Sequence, residues 1–197
     1  EVIMNNLKQL TNDIHRKAEN SPWAKLLISG DMTPEQYGTY LWNQLAVYEA
    51  LENRALEKKV LSATLAKRLR RVHYINDDIN YYPKIWKKFP ATFEYVEYCK
   101  KIQPDQIWAH IYVRHFGDMF GGNMIKEKLP KPKPQIDHMP PSELKYPGQM
   151  YYYFENKSEI ITEVRSQLND SMVDECIYCF ESATKLFNNL EKHYNVS

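Results

Sequence analysis

Apolar residues recur at helical spacing through most of the chain. From residue 2 to about 19, Ile3, Leu7, Leu10, Ile14 and Ala18 form one stripe, which predicts a first helix closed by Asn20-Ser21-Pro22. A short helix follows around 23–28 and ends at Gly30. Thr33-Pro34-Glu35-Gln36 reads as a capping box with proline at the first helical position, opening a helix that carries Tyr37, Leu41, Leu45, Tyr48 and Leu51 inward to about Lys58. Residues 62–82 predict one more helix, with Leu65, Leu69, Val72 and Ile79 inward and Lys67, Arg68, Arg70 and Arg71 outward on a solvated face. Pro83 closes it, Pro90 opens a helix to about Ile102, and Pro104 precedes the next. Segments 151–169 and 170–193 predict the final two helices, the last with Val173, Cys176, Phe180, Ala183, Phe187 and Leu190 on a core stripe.

Between residues 129 and 147 the periodicity vanishes, and six prolines (130, 132, 134, 140, 141 and 147) mark a surface connection. The 197 residues suffice for one all-α domain with a substantial core. No stretch of about 18 uninterrupted apolar residues predicts a membrane span, and no leader is evident, so a cytoplasmic protein is expected. The chain begins at Glu1 without an initiator Met, which leaves a removed segment open. A net charge of +1 implies no general affinity for nucleic acid. Three cysteines do not form a disulfide framework, and Cys176-x-x-Cys179 lacks both the preceding strand of a redox motif and the second pair of a zinc site. These thiols are expected to be small buried hydrophobes.

The stretch from Trp108 to Lys126 is different. Trp108, Ile111 and Tyr112 recur at helical spacing, and Met124 and Ile125 resume the pattern after Gly117, Gly121 and Gly122. Each glycine costs about 1 kcal/mol against alanine in a helix interior, so together they give up roughly 3 kcal/mol of local preference. Such a loss is tolerated where a backbone bends or where something flat lies against it with no Cβ in the way. Gly117 and Gly121 share a face, with Arg114, Asp118 and Gly122 close to the same strip.

The run His110, Tyr112, Arg114, Phe116, Gly117, Asp118, Gly121 and Gly122 resembles the distal helix of the haem oxygenases. Leu7-Lys8 to Thr11, Ile14-His15 and Ala18-Glu19-Asn20 resemble the family's proximal helix; 46–52, 165–169 and 187–191 are similar to further segments of it, in order along nearly the whole chain. The resemblance implies an all-α haem-oxygenase-like bundle, with haem held between an N-terminal proximal helix and a glycine-kinked distal one. It also implies cleavage of haem, both substrate and cofactor, by O₂ and electrons from ferredoxin or an NADPH-dependent reductase. Biliverdin, CO and ferrous iron would be released, by a monomer that takes no nucleic acid as partner.

By the same resemblance His15 is the axial ligand of the haem iron, and Glu19, one turn on, fixes its ring. Asp118 and Arg114, with Gly117 and Gly121, form the catalytic set, the first two holding the water that delivers protons. Lys8, Arg165 and Tyr112 meet the propionates, and Gly122 and Phe187 complete the haem contacts. The sequence departs from the family pattern at Ile161 and Asn12, where lysines are common, and at Phe120, where serine is common. Three competing readings stand against this one, among them a haem-oxygenase-like hydrolase of thiamin-type compounds, which would have no use for His15 and the glycine strip together. None of the six histidines has a Glu three residues before it, which argues against a bundle with two non-haem irons. A non-catalytic haem carrier on the same fold is the alternative.

Overall fold

Thr33 opens the longest helix of the computed structural model, which describes the backbone of residues 2–197 and side chains from residue 6 onward. Its hydroxyl accepts from the Gln36 amide while the Gln36 side chain accepts from the Thr33 amide, and Pro34 sits at the first turn, so α4 runs from Pro34 to Glu57. Before it come α1 (Val2–Leu10), α2 (Asn12–Glu19) and α3 (Pro22–Ser29), which Gly30 closes with φ +87°. After it come α5 (Ala63–Leu69), α6 (Val72–Asp78), α7 (Pro90–Cys99), α8 (Ile107–Lys126), α9 (Lys157–Arg165) and α10 (Val173–Tyr194). The structure is all-helical, and among the described residues no helix is long and apolar enough to cross a membrane.

Three expected helices are shorter or divided. The first is split at Thr11, which is buried and turns its hydroxyl back to the Leu7 carbonyl at 2.8 Å. Within the stripe expected for it, Leu7 is buried, Leu10 is exposed, and the side chain of Ile3 lies outside the described residues.

The helix expected over 62–82 breaks between Leu69 and Val72, and the reason is Arg71. Its sequence neighbours suggested an outward charge, yet Arg71 is wholly buried, stacked 3.7 Å over the Phe154 ring. It donates to the carbonyls of Tyr151 and Tyr153 at 2.7 Å each, and its own amide is taken by the Glu52 carboxylate.

Those same bonds explain why 151–156 is not the start of a helix. The Asp78 carboxylate accepts from the amides of Met150 and Tyr151 at 2.9 and 2.7 Å, so side chains satisfy backbone groups that a helix would have paired internally. The helix begins only at Lys157. The proline-rich connection returns over the turn Ile79–Tyr81, through Lys133 N–H to the Tyr81 carbonyl and Gln135 N–H to that of Asn80.

Helix α10 is the floor of the fold. It packs against α2 on one side, α8 on another and α7 and α3 besides, so the N-terminal helix and the glycine-bearing helix meet over a common surface.

Candidate functional site

Helix α8 runs unbroken through its three glycines, and they do different things. A Cβ at Gly117 would meet nothing within 4 Å, and one at Gly121 would meet only the Ile125 side chain at 3.8 Å. A Cβ at Gly122 would stand 2.8 Å from the Tyr152 Cβ. Gly122 therefore allows α8 to close on the buried Tyr152, while Gly117 and Gly121 keep a strip of backbone bare toward the outside. Along that strip Phe120 and Met124 are 55% and 62% exposed, so α8 presents apolar surface that the rest of the chain does not cover.

On α2, a half-exposed His15 lies one turn before Glu19, with Nε2 and Oε1 3.0 Å apart. The carboxylate holds one ring nitrogen, which leaves the other available to a ligand. Phe180 of α10 fixes the ring from the side, at 5.3 Å between ring centroids. Phe187, expected at the haem, lies two turns further along α10 and packs 6.3 Å from the Tyr40 ring. The signal for Phe180 was available as its place on the core stripe, but nothing in that stripe distinguished a residue facing His15 from one facing Tyr40.

Asp118 and Arg114, expected to act together, face different partners. Asp118 Oδ2 accepts from the hydroxyl of Tyr151 at 2.8 Å and, by a short hydrogen bond, from that of Tyr48. Gln44 extends the chain inward, donating to Tyr151 at 3.0 Å and to Tyr40 at 2.9 Å. Burial pushes the Asp118 carboxyl up to about 6, although both tyrosines and the charges of Arg71 and Arg114 pull it down. Arg114 is buried, stacked 3.9 Å over Tyr95, with Nη2 3.5 Å from the Ser182 hydroxyl. Its charge reaches Asp118 through space rather than through an ion pair.

Behind Arg114 lies a buried polar group that the sequence did not announce. His110 is wholly buried, with Nδ1 2.8 Å from the Tyr95 hydroxyl and Nε2 3.5 Å from Glu175, which also accepts from Tyr98 at 2.6 Å. Burial opposes a charge on His110, but Cys179 and Glu175 outweigh it and raise its pKa. Cys99, Cys176 and Cys179 are all buried and free.

Toward the end of α9, Arg165 is exposed and close enough to Tyr112 to act on its phenol electrostatically; Lys8 is exposed in the last turn of α1. A flat, apolar, dianionic group fits these residues. The bare strip of α8 would take its face, a nitrogen of His15 its metal, and Arg165, Lys8 and Tyr112 its carboxylates. Among the described residues no cluster of three His, Cys, Asp or Glu side chains forms a metal site.

Comparison with known proteins shows the family and the fold. The heme oxygenase family model matches residues 2–189. Heme oxygenase 2 of Synechocystis sp. is 26% identical over 204 residues, covering 94% of this chain and 81% of that protein. The heme oxygenase of Pyropia yezoensis is 30% identical over 136 residues, a match that covers 64% of this chain and spans 57% of that relative's length. Among solved structures, heme oxygenase from Leptospira interrogans superposes with a TM-score of 0.74 at 25% identity, covering 92% of this chain and 96% of that one. Heme oxygenase-1 of Synechocystis sp. in complex with heme has the same fold, with a TM-score of 0.76 at 23% identity over 96% of this chain and 92% of that one. With the family model matching almost end to end, this chain belongs to the haem oxygenase family.

Proposed function

We propose that this chain binds haem between α2 and α8 and cleaves it oxidatively, with O₂ and reducing equivalents, to biliverdin, CO and Fe²⁺. The observation that carries this reading is the uncovered apolar strip around Gly117 and Gly121 on the helix that also holds Asp118 in a tyrosine network. Bound haem supplies both the iron at which O₂ is reduced and the ring that is cut.

The protein's share is binding, exclusion and protons. Glu19 orients the His15 imidazole and fixes its tautomer, so that a neutral nitrogen is presented to the iron. Without a Cβ, Gly117 and Gly121 let the backbone of α8 approach the porphyrin face and confine what binds there. Asp118 orders water next to that face and passes a proton from it, while Tyr48 and Tyr151 hold the carboxylate in one rotamer. Arg114, locked by Tyr95 and Ser182, lowers the energy of the Asp118 anion. Arg165, Lys8 and Tyr112 meet the propionates at the mouth.

The electrons come from an acidic carrier of the ferredoxin type, or from a reductase, docking on exposed cations such as Lys67, with the half-buried Arg70 beside it. Arg71, buried, has no part in that surface, and Arg68 is engaged with Glu159. Turnover with an acidic protein donor therefore falls as salt rises, whereas turnover with ascorbate does not.

The deciding experiment is an absorbance trace of the haem complex after a reductant is added in air. An oxygenase loses the Soret band and yields a bilin. A carrier that keeps its haem spectrum through the same treatment would overturn the proposal.

A further inference from the structure

A cavity lies on the side of α8 away from the bare glycine strip. It measures about 440 Å³ and is walled by α4, α5 and α8, through Leu51, Ala55, Ala66, Leu69, Ile111 and His115. That volume falls in the range of small-molecule sites, about 300–1,000 Å³. The walls are mostly apolar, though Glu52, Asn53, Lys59 and Arg70 also line them. His115 is 2% exposed, and its two ring nitrogens have no hydrogen-bond partner in the protein.

The imidazole is neutral, since burial and the nearby charges of Arg71 and Arg114 push it down to about 3. A neutral ring has one N–H and one lone pair. The carbonyls of Leu69 and Ile111 beside it are acceptors, able to serve only the N–H. No protein donor lies within hydrogen-bond distance of either ring nitrogen. A buried acceptor without a donor, in the wall of a mostly apolar cavity, defines the chemistry that would complete it.

We propose that this cavity is a binding site for a neutral, mostly apolar small molecule carrying a single N–H or O–H donor, of the indole or phenol type, with His115 as its acceptor. The site goes beyond haem cleavage and does not require it. Its occupancy would still be felt there. The His115 ring stands edge-on to Tyr48 at 5.0 Å, and Tyr48 is a donor to Asp118. A ligand that fixes the imidazole also fixes the phenol whose bond holds the carboxylate.

The test is calorimetric titration of the full chain with indole and with 1-methylindole, which has the same shape and no donor. It is run on haem-loaded protein, so that the apolar strip of α8 is covered, and again without haem. Indole binds in both, and 1-methylindole at least tenfold more weakly. In His115→Phe that preference disappears. In Ala66→Trp, which fills the cavity from the partly exposed helix α5 and leaves His115 in place, binding of both is lost. Absence of indole binding to the native chain, equal affinity for the two indoles, or indole binding that survives Ala66→Trp would overturn the assignment. Failure to load haem would count against the haem reading alone, because the titration without haem still reports on this cavity.

Discussion

The Tyr151 hydroxyl donates to Asp118 Oδ2 at 2.8 Å, tying the irregular segment after the proline-rich connection to the middle of α8. Tyr48 donates to the same oxygen from α4, so the carboxylate is clamped between two elements far from it in sequence. The carboxylate is the form that accepts both bonds, and it is lost as pH falls through about 6. Steady-state turnover of the native chain is therefore expected to fall below about pH 6. In Tyr151→Phe one of the bonds that lowers this pKa is gone, so the acidic limb moves to higher pH. Asp118→Asn shows no such limb and turns over at least roughly a hundredfold more slowly, the loss expected for a positioned proton route. An unchanged pH profile in Tyr151→Phe would separate the carboxylate from the chemistry.

The same shift has a stability consequence of opposite sign. The folded pKa of Asp118 stands above its ordinary 3.8, so the folded chain holds this proton more tightly than the unfolded one. Its contribution favours folding fully below 3.8 and is lost as pH rises through about 6. Denaturant titrations at pH 4.5 and 7 should show a steeper decline for the native chain than for Asp118→Asn. Equal declines would mean that the carboxyl is not destabilised by its burial.

Gly117 and Gly122 are expected to respond in opposite ways to the same methyl group. Gly117→Ala places a Cβ where no protein atom lies within 4 Å, so thermal stability stays level or rises by up to about 1 kcal/mol, the helix preference of alanine over glycine. Haem affinity or turnover then falls, because the added carbon stands on the bare strip. Gly122→Ala drives a Cβ to 2.8 Å from Tyr152 and destabilises by about 1–3 kcal/mol, as overpacking does. Melting curves and haem titrations of both variants decide it. A Gly117→Ala that binds and cleaves haem normally would remove the strip from the site.

How far this was legible in the sequence follows from which interactions are local. The Thr33 capping box, the Gly30 stop and the proline starts at 34 and 90 are contained within a few residues, and each element appears where those signals place it. His15 and Glu19 are one turn apart, so their pairing could be read directly. Arg71 could not. Its neighbours Lys67, Arg68 and Arg70 made a basic run, and only residues about 80 positions away, the carbonyls of Tyr151 and Tyr153, explain why this one turns inward. Asp118 was singled out, but its donors Tyr48 and Tyr151 lie 70 and 33 residues off, and spacing alone offered Arg114 in their place. Phe180 and Phe187 share a helical stripe, and the neighbours of each belong to other helices.

Arg71 gives the last prediction, which joins the fold to the site. The guanidinium is wholly buried, with two carbonyls, the Phe154 ring and the Leu69 carbonyl as its surroundings. Arg71→Met keeps much of the apolar stem but strips the donors from the Tyr151 and Tyr153 carbonyls. Leaving a buried carbonyl without its donor costs about 1–3 kcal/mol, and two are stripped here, a large part of the stability of a domain this size. Arg71→Lys does little better, since a single ammonium cannot reproduce the planar fork or its stacking on Phe154. The functional effect follows from position. Tyr151, whose carbonyl Arg71 holds, is the residue whose hydroxyl holds Asp118. At a temperature where Arg71→Lys remains folded, its turnover should drop and its acidic limb should move upward as in Tyr151→Phe, with haem affinity little changed, because neither residue lies on the strip of α8. A variant that loses stability yet keeps the native pH profile would show that the segment around Tyr151 is held by Asp78 alone and that Arg71 serves the fold without serving the site.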